Sequence, residues 1–508
     1  MSEEQKDIQV STENGEETSS YRSIFKATTL FGGVQVWKIL ISIIQTKFVA
    51  LVLGPTGMGI KGMYSSATNL IQSITAMGLS NSAVRDVSEA NGNGDAMKVS
   101  RTVAVLRKLV WFTGLLGMVS VFVLSPVLSK TTFGDYSYTI PFIILSVTLL
   151  LSQLTTGQNV ILQGTRKLKY LAKAGMIGSV ISLIVTVPFY YFWGIKGIVP
   201  TMVLEAISLL IIAYYYASKV KTMPINITLK EAVKEGKGMM TLGLVMTYNS
   251  MLVLGCMYVF RVFITRTGGI SDVGLYTAGA AVVNSYVGLI FSAMTTDYYP
   301  RLAAVCHDDE KCKRIVNQQI EMAMLVIAPA LMLFLMLAPG AVIFLYSDKF
   351  LPIVGFMKWA ALGVFFKTIS WAISYQIVAK GDKKAYASNE TLSCIIGLAL
   401  NIAAYYEWGI TGVGISILIG YVIYLIIVYC VAYKKYNYSL SGDVIRLGLV
   451  LFACLVMIFL MQYLWETVSS YLLSMIVLMV GCYYSYRELD KRINIKDTIL
   501  QTIKRTKR

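Results

Sequence analysis

Long apolar runs separated by short charged or turn-rich breaks recur along nearly the whole chain. A helix that rises 1.5 Å per residue needs about 20 apolar residues to cross the hydrocarbon of a membrane, and fourteen runs reach that length. The predicted spans are 27–53, 57–80, 105–129, 139–163, 168–192, 195–217, 238–264, 274–298, 319–346, 351–379, 386–406, 411–433, 444–465 and 469–486. The pattern therefore predicts an all-α polytopic membrane protein with about 14 transmembrane helices.

The charges between the spans predict the orientation. Of the 508 residues 56% are hydrophobic and only 14% are charged, which is too apolar for a soluble protein. If the N-terminus is cytoplasmic, the inward segments hold thirty-five Lys and Arg residues and the outward segments hold five. The positive-inside rule then places both termini in the cytoplasm. Most of the net charge of +17 is explained by this topology, so no nucleic-acid partner is expected.

Two eight-residue segments of the chain are nearly identical. YYFWGIKG begins at Tyr190 and YYEWGITG begins at Tyr405, and each lies in a predicted outward turn before the sixth span of a set of six. Three further pairs keep a similar spacing: Gly62 and Gly274 (GMYSSA and GLYTAG) are 212 apart, Arg85 and Arg301 are 216 apart, and Gly164 and Gly381 are 217 apart. Because six is even, the two halves share one orientation and form a parallel repeat. Two such lobes predict a central cavity and transport by alternating access.

The predicted organisation follows from the spans and the repeat. It comprises a disordered cytoplasmic tail at 1–24, an N-lobe of six spans at 25–218, a cytoplasmic linker at 219–237, a C-lobe of six spans at 238–434, two further spans at 435–487 and a basic cytoplasmic tail at 488–508. The outward loops are short and leave little room for an external catalytic domain. A transporter is therefore predicted rather than an enzyme.

Basic side chains inside the spans are candidates for lining the cavity, because an intramembrane charge usually faces a cavity or a partner. Lys38 lies on a polar face of span one, Arg261 lies in span seven and Lys367 lies in span ten. The polar stripes of the first two spans add further candidates: Gln35, Ser42, Asn69 and Gln72. Lys358 lies half a turn around span ten from Lys367 and is not favoured. An excess of cations favours an anionic cargo, since phosphate oxygens offset the desolvation of the lysine or arginine.

Three charged residues have two interpretations each. Glu205, deep in span six, either neutralises Lys38, which is favoured, or binds a coupling proton or cation. Arg85 and Arg301 are candidates for the cytoplasmic entrance, and the alternative is that they only obey the positive-inside rule. The single histidine, His307, lies in a CHDDEKC segment that fits no zinc spacing, so neither a metal nor a cofactor is predicted.

The opening segment LFGGVQVWKILISIIQTKFVALVLGPTGMGI and the central segment AMTTDYYPRLAAVCHD resemble the O-antigen translocases. These are Wzx-type lipid-linked oligosaccharide flippases in the multidrug/oligosaccharidyl-lipid/polysaccharide exporter superfamily, and the resemblance covers about residues 24–435. It implies a protein of the bacterial inner membrane that moves undecaprenyl-diphosphate-linked repeat units of O-antigen or a related surface polysaccharide from the cytoplasmic to the periplasmic leaflet. It also implies a central cavity lined by cations, and this role is carried over to Lys38 and Arg261. Lys367 is assigned to the same cavity, although it lies on no shared motif.

The partners implied by the resemblance are the lipid-linked oligosaccharide, the membrane lipids, and a polysaccharide polymerase or chain-length regulator. A cation-coupled multidrug exporter of the same superfamily is the nearest alternative. Such exporters use intramembrane carboxylates, whereas span one contains Lys38 and Lys47 and no acid; Glu205 keeps this alternative open. A membrane enzyme of polysaccharide assembly is the third hypothesis. Such an enzyme generally needs a large outward loop or an acidic metal site, and the sequence shows neither.

Overall fold

The computed structural model describes the backbone of residues 3–92, 94–465 and 468–493, and the side chains of these residues except 3–32, 285–287, 289, 296 and 493. All regular secondary structure in these ranges is helical. The helices are α1 Glu3–Thr75, α2 Leu79–Gly92, α3 Ala96–Phe133, α4 Thr139–Gly164, α5 Leu168–Trp193, α6 Ile198–Ala217, α7 Leu229–Glu235, α8 Lys237–Thr267, α9 Ile270–Ala304, α10 Asp309–Leu345, α11 Ile353–Ala379, α12 Lys383–Tyr436, α13 Gly442–Leu464 and α14 Val468–Ile493.

The helices fit the predicted spans. Ten stretches of the described residues are long and apolar enough to cross a membrane, and three of them, 33–75, 168–217 and 383–436, are 43, 50 and 54 residues long. Each of these three is interrupted near its middle by a glycine with positive φ: Gly54, Gly194 or Gly409. The positive φ reverses the chain without the strain that a side chain would add. Each long stretch therefore holds two spans, and the prediction of an all-α polytopic membrane protein is confirmed.

The internal repeat is visible in the backbone and in the burial of side chains. Gly194 and Gly409 have φ values of 52° and 58° and ψ values of −129° and −143°. Their aromatic neighbours are buried in the same order: Tyr190 and Tyr405 are buried, while the tyrosine that follows each is at least 70% exposed. The spacing of 215 is thus a structural repeat as well as a repeat of letters.

A reciprocal contact at the start of α9 follows the same spacing. A Cβ on Gly59 would collide with the backbone oxygen of Ile270, and a Cβ on Gly274 would collide with the backbone oxygen of Pro55. Adding 215 to 55 and 59 gives 270 and 274, so the two contacts are related as by a local twofold axis. Gly62 lies against Thr277, its own counterpart at that spacing. The contacts here follow 215 and not the 212 that the letters of GMYSSA and GLYTAG suggest.

The connection before α5 and its counterpart before α12 also follow 215. Arg166 has a φ of 55° and Gly381 has a φ of 71°, and the next residue in each case, Lys167 or Asp382, is the N-cap of the following helix. The sequence comparison paired Gly381 with Gly164 instead. A positive φ in a residue other than glycine is uncommon, which is why the letters alone misaligned this turn.

Two compact units account for the contacts of the chain. One consists of Met1–Leu53 with Tyr64–Met251, and the other consists of Gly54–Met63 with Leu252–Arg508. The boundaries run through α1 and α8, and the lobes predicted from the sequence stay a prediction. The predicted tail at 1–24 has no described side chains, and most of the predicted tail at 488–508 lies outside the described residues.

The last two spans, which belong to the second unit, are joined to its other helices by hydrogen bonds of charged side chains. Arg492 of α14 donates to Glu321 of α10 (Nε to Oε2, 2.7 Å) and to Glu488 (Nη1 to Oε2, 2.8 Å). Lys358 of α11 is 3% exposed and donates to the backbone oxygen of Gln462 in α13. The helix pair is therefore packed against α10 and α11 through hydrogen-bonded charges as well as apolar contacts.

Candidate functional site

A cavity of about 510 Å³ lies inside the second unit and contains one of the predicted cations. Its walls come from α8, α9, α11 and both spans of α12. Among the described wall residues Lys367 is the single basic residue and Glu390 the single acid, and the other polar or aromatic residues are Tyr276, Asn284, Phe356, Ser370, Trp371, Ser374, Ser393, Asn401, Tyr421 and Tyr424. The cavity thus combines one ammonium group with hydroxyls, amides and aromatic rings. We call it the Lys367 cavity.

Lys367 is held by aromatic rings and not by a carboxylate. Its Nζ lies 5.3 Å from the ring centroid of Tyr421 and 5.6 Å from that of Phe291. Among the described side chains no acid lies within 4.0 Å of it. Ring faces attract a cation without neutralising its charge, so the ammonium remains available to an anion.

A second part of the wall carries the acid. Tyr424 donates to Glu390 (Oη to Oε1, 2.8 Å) and lies 3.3 Å from Oγ of Ser374. A Glu, a Tyr and a Ser so linked present both donors and acceptors to the cavity. Groups of this kind suit the hydroxyls of a sugar, and the ring of Trp371 adds an apolar face beside them.

Arg261 lies one helical turn beyond the wall residue Met257 on α8. It donates to the backbone oxygen of Gly62 (Nη1 to O, 3.1 Å), and its guanidinium lies 5.9 Å from the centroid of Tyr276, which lines the Lys367 cavity. Of the three predicted cavity cations, Lys367 is therefore part of the wall and Arg261 is adjacent to it. Arg261 also fastens the segment Gly54–Met63 to α8.

The remaining predicted cavity residues belong to the first unit. Gln35, Lys38, Ser42 and Asn69 are exposed and Gln72 is half-buried, all on α1. The Lys38 ammonium lies beside Gly175 of α5, where an added Cβ would be 2.8 Å from Nζ. No carboxylate among the described side chains lies within 4.0 Å of Lys38. Whether these residues face a common cavity with Lys367 stays a prediction.

Glu205 is surrounded by neutral donors. Its Oε1 accepts hydrogen bonds from Ser182 and Thr186 of α5 at 2.7 Å each, and from Nε2 of Gln45 of α1 at 3.2 Å. The favoured interpretation from the sequence, neutralisation of Lys38, has no ion pair in the structure to support it. Among the described side chains this intramembrane carboxyl group has hydrogen bonds but no cation within 4.0 Å.

The two entrance candidates lie on different kinds of helix. Arg85 is exposed on the short helix α2, beside a cleft of about 310 Å³ with mixed charge. That cleft contains Asp86, Glu89, Lys98, Arg101 and Glu235. Arg301 is in the last turn of α9 and forms a 2.8 Å pair with Asp297, four residues earlier. Both cations thus have acids nearby, and their role at an entrance stays a prediction.

No group of three or more His, Cys, Asp or Glu side chains that could hold a metal ion occurs in the described part of the chain. The chemistry available in the Lys367 cavity is binding by charge, hydrogen bonds and aromatic contact.

Sequence reasoning missed the part of the Lys367 cavity that α12 supplies. Glu390, Ser393 and Asn401 follow one another at offsets of 3 and 8, which places them on one helix face. All three line the cavity. The signal in the sequence is the polar stripe on span eleven, whereas the predicted site residues came from basic residues and from the stripes of the first two spans.

The family model described as polysaccharide biosynthesis protein matches residues 48–355. A lipid III flippase of Escherichia coli K12 is 20% identical over 369 residues, which cover 72% of this chain and 87% of the flippase. Among solved structures, the lipid II flippase MurJ in an inward closed conformation has a TM-score of 0.69 at 14% identity, covering 91% of this chain and 99% of MurJ. A MATE family multidrug resistance transporter of the MOP superfamily, in an inward-facing conformation, has a TM-score of 0.66 at 15% identity, covering 79% and 94%.

These relatives are flippases and transporters, and the prediction of a transporter rather than an enzyme agrees with them. The solved structures share the fold at identities too low to transfer a substrate. The matched family model covers more than half of the chain, and the resemblance found in the sequence is confirmed at the level of family and fold. The chain belongs to the polysaccharide biosynthesis protein family.

Proposed function

We propose that the protein is a flippase for lipid-linked oligosaccharides, which carries undecaprenyl-diphosphate-linked repeat units of O-antigen or a related surface polysaccharide across the bacterial inner membrane. The observation that carries the proposal is the Lys367 cavity, where an ammonium with no carboxylate within 4.0 Å among the described side chains lies among sugar-compatible groups. A diphosphate is an anion that forms strong charge-assisted hydrogen bonds with Lys. Membership in the family and the names of the two flippase relatives support the same class of cargo.

Transport by alternating access would then move the cargo from the cytoplasmic to the periplasmic leaflet. Lys367, Arg261 and Lys38 would bind the diphosphate, with Gln35, Ser42, Asn69 and Gln72 completing the polar surface. Arg85 and Arg301 would attract the anion at the cytoplasmic entrance. The charge bias of the loops supports cytoplasmic termini, and a polysaccharide polymerase or chain-length regulator is the proposed protein partner.

The test is deletion in the native host followed by lipid analysis with leaflet-specific labelling. We expect a lipid-linked oligosaccharide to accumulate facing the cytoplasm. Re-expression of Lys38→Ala, Arg261→Ala or Lys367→Ala should fail to restore surface polysaccharide at normal protein levels, whereas the matched variant Lys47→Ala should restore it. Full restoration by all four variants would contradict the cationic cavity.

The multidrug exporter is the second candidate, and the observation in its favour is that each unit has a carboxylate within a predicted span, Glu205 in the first and Glu390 in the second. A carboxylate favours a cationic drug, whereas the unpaired Lys367 disfavours it. Growth of the deletion strain with cationic dyes separates the two functions. Unchanged lipid-linked oligosaccharide together with raised dye sensitivity would favour the exporter.

We further propose that Glu205 binds the coupling proton or monovalent cation. A carboxylate without a counter-charge inside a membrane is costly, and binding a proton or cation removes that cost. The Ser182, Thr186 and Gln45 side chains would hold the carboxyl group in place. Glu205→Gln should abolish the response of transport to an imposed pH or sodium gradient while leaving cargo binding within about threefold of wild type; loss of binding instead would point to a structural role.

A further inference from the structure

A second cavity, lined by apolar side chains among the described residues, lies between α9, α10 and α11. Its volume is about 390 Å³, and its twelve described wall residues are valine, isoleucine, leucine, alanine and phenylalanine. Leu331 and Ala361 form part of its buried wall, while Leu333 and Leu337 are 46% and 55% exposed. Exposed leucines in a transmembrane helix face hydrocarbon, so this cavity opens toward the lipid. We call it the apolar cavity.

The apolar cavity adjoins the Lys367 cavity. Val283 of α9 and Val364 of α11 line both. Val364 precedes Lys367 by three residues on one helix, a spacing at which the Cβ atoms are about 5–6 Å apart. An ammonium group and a lipid-accessible apolar space are thus separated by one side chain.

This juxtaposition matches a molecule that is ionic at one point and hydrocarbon immediately beside it. A polyprenyl diphosphate has that character, because its first isoprene unit is bonded directly to the diphosphate. A phospholipid differs, since a glycerol and two esters separate its phosphate from its acyl chains. The distance available between Lys367 and Val364 favours the polyprenyl compound.

We propose that the apolar cavity binds the isoprene units next to the diphosphate while Lys367 binds the diphosphate itself. The proposal rests on the proposed flippase function and assigns a site to the lipid part of its cargo. Moving a hydrocarbon chain from lipid into an apolar cavity brings little hydrophobic gain. The contribution is therefore one of shape and position: the cavity aligns the diphosphate with the ammonium group.

The experiment uses the full-length protein in lipid nanodiscs and two photoreactive probes. One is a farnesyl diphosphate with a diazirine on its first isoprene unit, and the other is phosphatidylethanolamine with a diazirine on an acyl chain. Peptide mapping should place the label of the diphosphate probe on the α10 and α11 walls of the apolar cavity, and Lys367→Ala should reduce that label at least fivefold. The phospholipid probe should label lipid-facing helices without regard to Lys367. Equal labelling of the apolar cavity by both probes, unaffected by Lys367→Ala, would overturn the proposal and identify an ordinary lipid groove.

A filled cavity provides the second arm. Ala341→Trp places an indole in the apolar cavity from α10, and Ala453→Trp adds the same group to an exposed position on α13 as the matched control. We expect Ala341→Trp to weaken binding of the diphosphate probe about tenfold and Ala453→Trp to leave it unchanged, with both variants eluting as folded protein. If Lys367→Ala abolishes binding of the diphosphate probe while Ala341→Trp does not weaken it, the proposed binding of isoprene units in the apolar cavity is wrong, and the proposed flippase function is not contradicted. If Lys367→Ala has no effect either, the proposed function itself fails.

Discussion

The reciprocal glycine contact at the start of α9 leads to a graded prediction of stability. Alanine at Gly59 or Gly274 would drive a Cβ into a backbone oxygen, of Ile270 or Pro55 respectively, whereas alanine at Gly62 would place its Cβ 3.0 Å from the side-chain oxygen of Thr277. A hydroxyl can rotate away, but a helix backbone must shift as a whole. Overpacking of this kind costs about 1–3 kcal/mol.

We therefore expect Gly59→Ala and Gly274→Ala to lower the free energy of unfolding by about 1–3 kcal/mol each, and Gly62→Ala to lower it by less. Gly340→Ala is the matched control, since nothing lies within 4 Å of a Cβ there, and alanine favours the helix by up to about 1 kcal/mol. The assay is thermal unfolding of the purified protein in one detergent, followed by tryptophan fluorescence. We expect the melting temperature to be highest for Gly340→Ala, followed by wild type and then Gly62→Ala, and to be lowest for Gly59→Ala and Gly274→Ala.

The double variant sharpens this test. Both alanines push the same two segments apart, so a shift made to relieve one collision relieves part of the other. Residues coupled through a shared backbone shift are not additive, and Gly59→Ala with Gly274→Ala should cost less than the sum of the single variants. The reciprocal close approach is refuted if Gly59→Ala and Gly274→Ala have the same melting temperature as Gly340→Ala. It is also refuted if the loss of unfolding free energy in the double variant equals the sum of the two single losses.

Three further predictions concern charged groups. Lys358→Ala should lower the free energy of unfolding by about 1–3 kcal/mol, because it removes the hydrogen-bond donor from the buried backbone oxygen of Gln462. Lys367→Ala should leave the melting temperature nearly unchanged and abolish binding of a polyprenyl diphosphate. A large loss of stability in Lys367→Ala together with a loss of binding in Lys358→Ala would exchange the roles of the two lysines. The hydrogen bonds that Lys435, the Ala385 amide and Tyr436 donate to Asp382 lower the pKa of that carboxyl from 3.8 to about 2. A pKa that is lower in the folded protein stabilises the fold above the unfolded pKa, and this stabilisation is lost as the carboxyl is protonated. Asp382→Asn should therefore be less stable than wild type at pH 7, and melting curves should show this difference shrinking as the pH falls from about 4 to about 2. The bond of Arg101 to Glu235 (2.7 Å) joins α3 to α7 at an exposed position, so Arg101→Ala should change stability by at most about 1 kcal/mol, and a larger loss in thermal unfolding would indicate that α7 depends on this pair.

The sequence by itself determined the class of protein and the number of spans, through its hydrophobic pattern, and the existence of a repeat, through its two matching segments. Each of these depends on the local chain: about 20 apolar residues specify a span wherever they occur, and YYFWGIKG and YYEWGITG need no neighbour to be recognised. The polar stripe of span one and the isolation of Glu205 among apolar residues could be found in the same way. The stripe on span eleven was equally local and was not sought.

Only the tertiary structure decided which charged groups meet, because the partner of a side chain depends on how a neighbouring helix is rotated. The helical period places Lys358 and Lys367 on opposite faces of α11. Only the structure shows that Lys358 is buried against α13, while the ammonium of Lys367 lies against the rings of Phe291 and Tyr421. Glu205 could have paired with Lys38, yet α5 presents Ser182 and Thr186 to it. The register of the repeat was decided likewise, since a close backbone contact between Gly59 and Ile270 depends on residues more than 200 positions apart and leaves no mark in either segment alone.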